Sequence, residues 1–193
     1  MGWLVAGLLL FLGIHSIAIF APAWREATLA RLGPRAWRAL FSVVSIVGFL
    51  MLVHGYGLAR VDAPVLYAPP PALRHVTALL MLPVFPLLLA TYLPGRIKAA
   101  VKHPMLTATK TWALAHLLVN GSVADVLLFG GFLAWAVADR ISVKRRPAAE
   151  AHAVPAAPPR PANDAIAVVG GLAVYVLFVF WGHRWLTGVS PLA

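Results

Sequence analysis

Six stretches of the chain, at about residues 3–21, 39–59, 73–93, 105–119, 121–138 and 165–187, are nearly free of charge and dense in Leu, Val, Ala and Phe. A backbone N–H or C=O in hydrocarbon has no water to pair with, so such stretches must be helices, and about 20 residues cross the bilayer core. Five of the six meet that length. The fourth is short: it spans only with little tilt and with Lys102 and Lys110 reaching back to the interface, or it forms half of a helical hairpin. Asn120-Gly121-Ser122 supplies the turn after it, with Gly121 able to take a positive φ. The expected fold class is therefore all-α, a polytopic membrane protein of six transmembrane helices with a tight hairpin between helices four and five. A composition of 61% hydrophobic and 11% charged residues, with mean hydropathy +0.84, agrees. The expected organisation is one membrane domain over residues 1–193, too short for an added soluble domain of any size. Residues 147–161, rich in Ala and Pro, read as a flexible linker containing His152.

The net charge of +10 invites a nucleic-acid reading, but the basic residues fall in short loops between apolar stretches. Arg25, Arg31, Arg35, Arg38, Arg96, Lys98, Lys102, Lys110, Arg140, Lys144, Arg145, Arg146 and Arg160 fall on one side of the six-helix arrangement. Arg60, Arg74 and Arg184 fall on the other. Short loops rich in Lys and Arg stay in the cytoplasm, which places both termini on the outer side and argues for a lipid bilayer, not nucleic acid, as partner. Residues 1–20 carry no basic leading segment and read as the first membrane helix. Pro83 and Pro86 should kink the third helix.

The stretch Val101–Arg146 holds the chemistry. Lys102, His103, Lys110, His116, Asn120 and Asp125 lie in or beside segments apolar enough for lipid, where ionisable groups are costly and mark sites. With seven histidines and no cysteine, imidazole is the strongest ligand for a haem iron or a soft metal; disulfides, thiolate catalysis and cysteine-held clusters are excluded. Counted along their helices, His15 and His116 fall at comparable depth, while His54, His75 and His183 sort toward the outer face. That pair suits bis-histidine ligation of haem; hydrogen bonding to neighbouring helices is the alternative. Trp112 lies four residues before His116, on the same face, where it can wall a cofactor pocket. Lys102-His103-Pro104 at a helix start suits an anionic group, although spacing alone favours a plain interface anchor. Ser122 or Asp125 is expected to cap helix five. Glu26 and Glu150 lie in loops, so paired-carboxylate catalysis has almost no material.

The run KHPMLTATKTWALAHLLVNG, followed by LLFGGFLAWAVADRIS, resembles the NnrU family of bacterial inner-membrane proteins. The similarity takes in Leu12-Gly13-Ile14-His15-Ser16, Leu73-Arg74-His75 and Pro94-Gly95-Arg96-Ile97 and extends over the chain. It implies an inner-membrane protein associated with nitrite and nitric oxide metabolism in denitrifiers. A related plant family, zeta-carotene isomerase, carries a b-type haem held by histidines, which implies haem b here with His15 and His116 as ligands and a redox or isomerase-like role. A hydrophobic small molecule is a further expected partner. A more distant resemblance is to isoprenylcysteine carboxyl methyltransferases, whose Arg-His-Pro motif helps hold S-adenosylmethionine. Lys102-His103-Pro104, Trp112 and Asn120 fall at similar spacing, making Lys102, His103, Trp112 and Asn120 further cofactor-binding candidates. The departure is that Arg140-Ile141 runs into Ser142-Val143-Lys144-Arg145-Arg146, without the acidic residues of those enzymes. A non-catalytic accessory role for denitrification enzymes is the competing class.

The charge distribution generates a topology test. Alkaline phosphatase fused after Ala193 is expected to be active and the same reporter at Ala149 silent; the opposite pattern overturns the orientation.

Overall fold

The computed structural model describes residues 1–145 and 156–191. Most of the linker expected at 147–161, including His152, lies outside the described residues. Every extended element is helical: α1 Gly2–Phe20, α2 Pro22–Asp62, α3 Leu73–Met81, α4 Val84–Tyr92, α5 Arg96–Val101, α6 Pro104–Leu117, α7 Val123–Asp125, α8 Gly131–Arg145, α9 Asn163–Leu177 and α10 His183–Thr187. Wide turns at Val126–Gly130 and Phe178–Gly182 join α7 to α8 and α9 to α10. Among the described residues the one β feature is a bridge between Val65 and Ser122. Among the described residues five helical stretches are long and apolar enough to cross a membrane: Gly2–Phe20, Pro22–Asp62, Leu73–Tyr92, Val123–Arg145 and Asn163–Thr187. The short stretch expected as helix four is α6, whose 14 residues reach about 21 Å at 1.5 Å per residue.

Proline and glycine set the breaks. α2 begins well before the expected 39–59 stretch and bends at Gly33 (φ 78°, ψ 163°), after which Pro34 restarts the helix. The irregularity expected in the third helix falls at Leu82–Pro83: both keep helical dihedrals, but Leu82 bonds back only three residues, to the Leu79 carbonyl at 3.3 Å, and Pro83 offers no N–H.

The chain divides into two compact units, Met1–Tyr67 with Gly121–Ser142, and Ala68–Asn120 with Val143–Ala193. In unit one, α1 packs along α2. Glycines make the approach close: a Cβ on Gly55 would strike the Leu4 backbone, and one on Gly7 would strike that of Leu52. Helices in lipid gain little from apolar burial against each other, so close backbone contact through small residues carries much of the attraction. Gly121 has a related role. Its carbonyl accepts from Leu66 and Tyr67 at 2.8 and 3.2 Å, and the Tyr67 carbonyl leaves no room for a Cβ. Gly121 does not use the positive φ open to it, so close approach is what requires this glycine.

In unit two, α4 packs on α6 and α9, and α3 on α6. A Cβ on Gly171 would strike the Pro86 backbone. Side-chain hydroxyls tie the helices across: Thr77 donates to the Ala115 carbonyl at 2.9 Å and Tyr175 to that of Ala78 at 3.1 Å. The start of α9 clamps the turn before α5. Asp164 accepts from the Arg96 and Ile97 N–H groups at 2.8 and 3.1 Å, and Asn163, 3% exposed, donates to the Pro94 and Pro158 carbonyls.

Gly55→Val and Gly171→Val are each expected to cost about 1–3 kcal/mol by overpacking. Gly57→Ala, where a Cβ meets open space, should be neutral or slightly stabilising. Thermal unfolding in detergent checks both.

Candidate functional site

In unit two, α6 carries Trp112 and His116 on one face, and Asn120 follows one turn later. The three are linked in series: the Trp112 carbonyl lies 2.9 Å from His116 Nδ1, and the His116 carbonyl accepts from Asn120 Nδ2 at 3.0 Å. The Trp112 and His116 rings lie 5.4 Å apart. His116 falls in the last turn of α6, and opposite it in space is His183, delivered by the wide turn Phe178–Gly182. Their ring centroids are 6.4 Å apart and the planes 19° from parallel. Both line a cavity of about 410 Å³, walled by Met81, Phe85, Phe178 and the Pro69–Pro71 run, with Arg74 and Asn120 supplying polarity.

The hydrogen bonds fix which ring nitrogens face chemistry. His183 Nδ1 lies 2.7 Å from the Val189 carbonyl, as His116 Nδ1 lies beside that of Trp112. A carbonyl only accepts, so Nδ1 carries the proton in each neutral ring and Nε2 carries the lone pair. A carbonyl on one ring nitrogen fixes the ring's orientation and leaves the other nitrogen as an acceptor. Gly188, left-handed at φ 73°, turns the chain back after α10, and Val189 N–H donates to Thr187 Oγ1 at 3.2 Å. Residues 189–191 thereby form part of the cavity wall.

Lys102 and His103 sit at the other end of α6. Lys102 has φ 65°, and the His103 N–H bonds to the Val101 carbonyl at 2.8 Å, closing a γ-turn that is strained for a residue with a Cβ. His103 caps α6, and 13 residues, about 20 Å of helix, separate it from His116. Of the expected cofactor residues in this unit, the structure brings His116 and Asn120 to the cavity, sets Trp112 against the His116 ring, and leaves Lys102 and His103 at the far end of α6.

His15 belongs to unit one. Its half-buried ring lies 4.4 Å from that of Phe11, 4.9 Å from Phe41 and 6.0 Å from Trp135, with Nδ1 2.7 Å from the Phe11 carbonyl. The same unit holds a buried carboxylate. Asp125, 8% exposed, accepts from the Tyr56 hydroxyl at 2.6 Å, the Ser122 hydroxyl at 2.7 Å and the Ser122 N–H at 2.9 Å. Ser122 is the N-cap of α7 and Asp125 completes a reciprocal capping box. Nearby Tyr67, outside the spans, has its hydroxyl pKa pushed up, first by burial and then by the Asp125 charge. Among the described residues no group of three or more His, Asp or Glu side chains is placed to hold a metal ion.

Sequence reading missed His183 and Tyr56. The signal for His183 was present: His116 lies four residues before the turn at Asn120, and the six-helix reading puts that turn and His183 on the same side. Tyr56 and Asp125 are 69 residues apart and carried no such signal.

The family described as NnrU protein matches the chain over residues 3–191. No curated protein and no solved structure matches it.

Removing the Tyr56 hydroxyl leaves one oxygen of a buried carboxylate short of a donor. Tyr56→Phe is expected to cost about 1.5–3 kcal/mol in unfolding experiments, and Asp125→Ala at least as much.

Proposed function

The chain belongs to the NnrU family, and on that premise we propose that it is a multi-pass inner-membrane protein of nitrite and nitric oxide metabolism that binds haem b through His116. The observation that carries this reading is the His116–His183 pair, two imidazoles with Nδ1 pinned on carbonyls and both rings on one apolar cavity. The residues fit the group. His116 and His183 would offer imidazole nitrogens to the iron, aromatic side chains suit a macrocycle, and Arg74 would supply a cation for a propionate. Bound haem would supply one-electron chemistry, supporting a redox or isomerase-like role. This chain's contribution is to hold the rings in one tautomer, exclude water with Phe85 and Phe178, and anchor the acidic edge. The same walls suit a hydrophobic small molecule.

His15, the other ligand expected from sequence, is the competing partner for His116. In this proposal both termini are periplasmic, which requires α6 to count as a crossing with Lys102 and Lys110 snorkelling to the interface.

Absorption spectra of the detergent-solubilised protein test the reading. His116→Ala and His183→Ala should each lose or shift the Soret band, and His15→Ala should retain it. Loss with His15→Ala and retention with His183→Ala would restore the pair inferred from sequence. Wild-type protein that stays colourless after haem supplementation would sink haem binding and favour a non-catalytic accessory role.

A further inference from the structure

The bend in α2 folds the segment carrying Trp24 and Arg25 back against Trp37. In a straight helix Trp24 and Trp37 would be about 20 Å apart along the axis, yet their ring centroids are 6.2 Å apart in an edge contact. Gly33, at φ 78°, turns the chain back, and the Arg25 guanidinium lies 6.0 Å above the Trp37 ring. Trp37 is only 6% exposed, so the elbow is a packed feature. Arg31 and Arg35 flank the bend and are exposed, and Arg38, also exposed, donates to the Pro34 carbonyl at 3.1 Å. From Ala21 to Arg38 there are four arginines and one acidic residue, Glu26.

Position decides what meets this charge. The elbow lies between two apolar stretches, α1 ending at Phe20 and the stretch beginning near residue 39. Both of its ends are thus held at the bilayer, and tryptophan is typical of the headgroup level. The groups at that level with matching charge are lipid phosphates, and guanidinium binds phosphate through a planar fork of donors.

We infer that the Trp24–Arg38 elbow is a binding surface for the phosphate of anionic phospholipids, with Arg25, Arg31, Arg35 and Arg38 drawn together by the bend at Gly33. The Trp37 ring holds Arg25 by cation–π contact, and the exposed Trp24 lies among the headgroups. The surface is independent of the haem reading, since it lies in unit one and uses none of the cavity residues.

The test uses the full chain reconstituted in phosphatidylcholine vesicles containing a spin-labelled lipid, either phosphatidylglycerol or phosphatidylcholine. The motion-restricted spectral component gives the association constant of phosphatidylglycerol relative to phosphatidylcholine. Wild type should prefer phosphatidylglycerol. Arg31→Gln with Arg35→Gln should reduce that preference by about fivefold for each arginine removed, and Arg60→Gln, at the far end of α2, should leave it intact. Gly33→Val keeps every charge but disfavours the positive φ; with helix content preserved, it should also lower the preference. An unchanged preference in the double-arginine variant overturns the proposal. An unchanged preference in Gly33→Val shows that charge acts without the elbow and overturns the built site. Loss of preference on adding inorganic phosphate at constant ionic strength identifies a site for free anion and overturns the lipid assignment.

Discussion

In hydrocarbon, a polar group without a partner is the most expensive feature a chain can carry, and this structure is organised around meeting that demand. The backbone meets it by being helical nearly throughout. Side chains meet it by reaching carbonyls, as Thr77, Tyr175 and Asn163 do, or by forming closed sets such as Tyr56–Asp125–Ser122. Asp125 shows the principle most fully. A carboxylate 8% exposed has both oxygens occupied by donors, two of them from the residue that caps its own helix.

With apolar burial contributing little between helices in lipid, contact is made by shape. Gly7 and Gly55 let α1 and α2 approach to backbone distance, and Gly171 does the same for α9 against α4 at Pro86. Such contacts fix each helix's rotation about its axis, and rotation determines which side chains face a cavity. His116 meets His183 in that way, helped by the wide turn at Phe178–Gly182, a departure from regular helix often found at functional sites. The imidazoles are then held in one tautomer by backbone carbonyls, which costs no further charged group at membrane depth.

Where the chain leaves the helices, it is tied down by capping chemistry. Asp164 serves the first N–H groups of α5 from 67 and 68 residues away, and Asn163 bonds two carbonyls, so the residues ahead of α9 are fastened to the Pro94–Ile97 turn. The elbow at Gly33 is fastened differently, by Trp37 under Arg25 and against Trp24. Charge is thereby concentrated at the surface while the spanning segments stay almost free of it.

The sequence by itself determined that this is an all-helical membrane protein, because hydropathy summed over about 20 residues is a local quantity that tertiary structure cannot reverse. It also carried an irregularity at Pro83, a cap on α7 from Ser122 or Asp125, and the shared face of Trp112 and His116, all of which depend on residues within about one helical turn; that both capping residues act reciprocally came from the structure. The spans were less legible at α6, where a short apolar run did not reveal whether 14 residues cross. Only the tertiary structure decided that His116 stands beside His183, that Tyr56 serves Asp125, that Gly121 is needed for close approach, and that Arg25 lies on Trp37. Each of these joins residues far apart in the chain or depends on a bend, and no local propensity encodes how a helix is rotated about its axis or where it meets its neighbour.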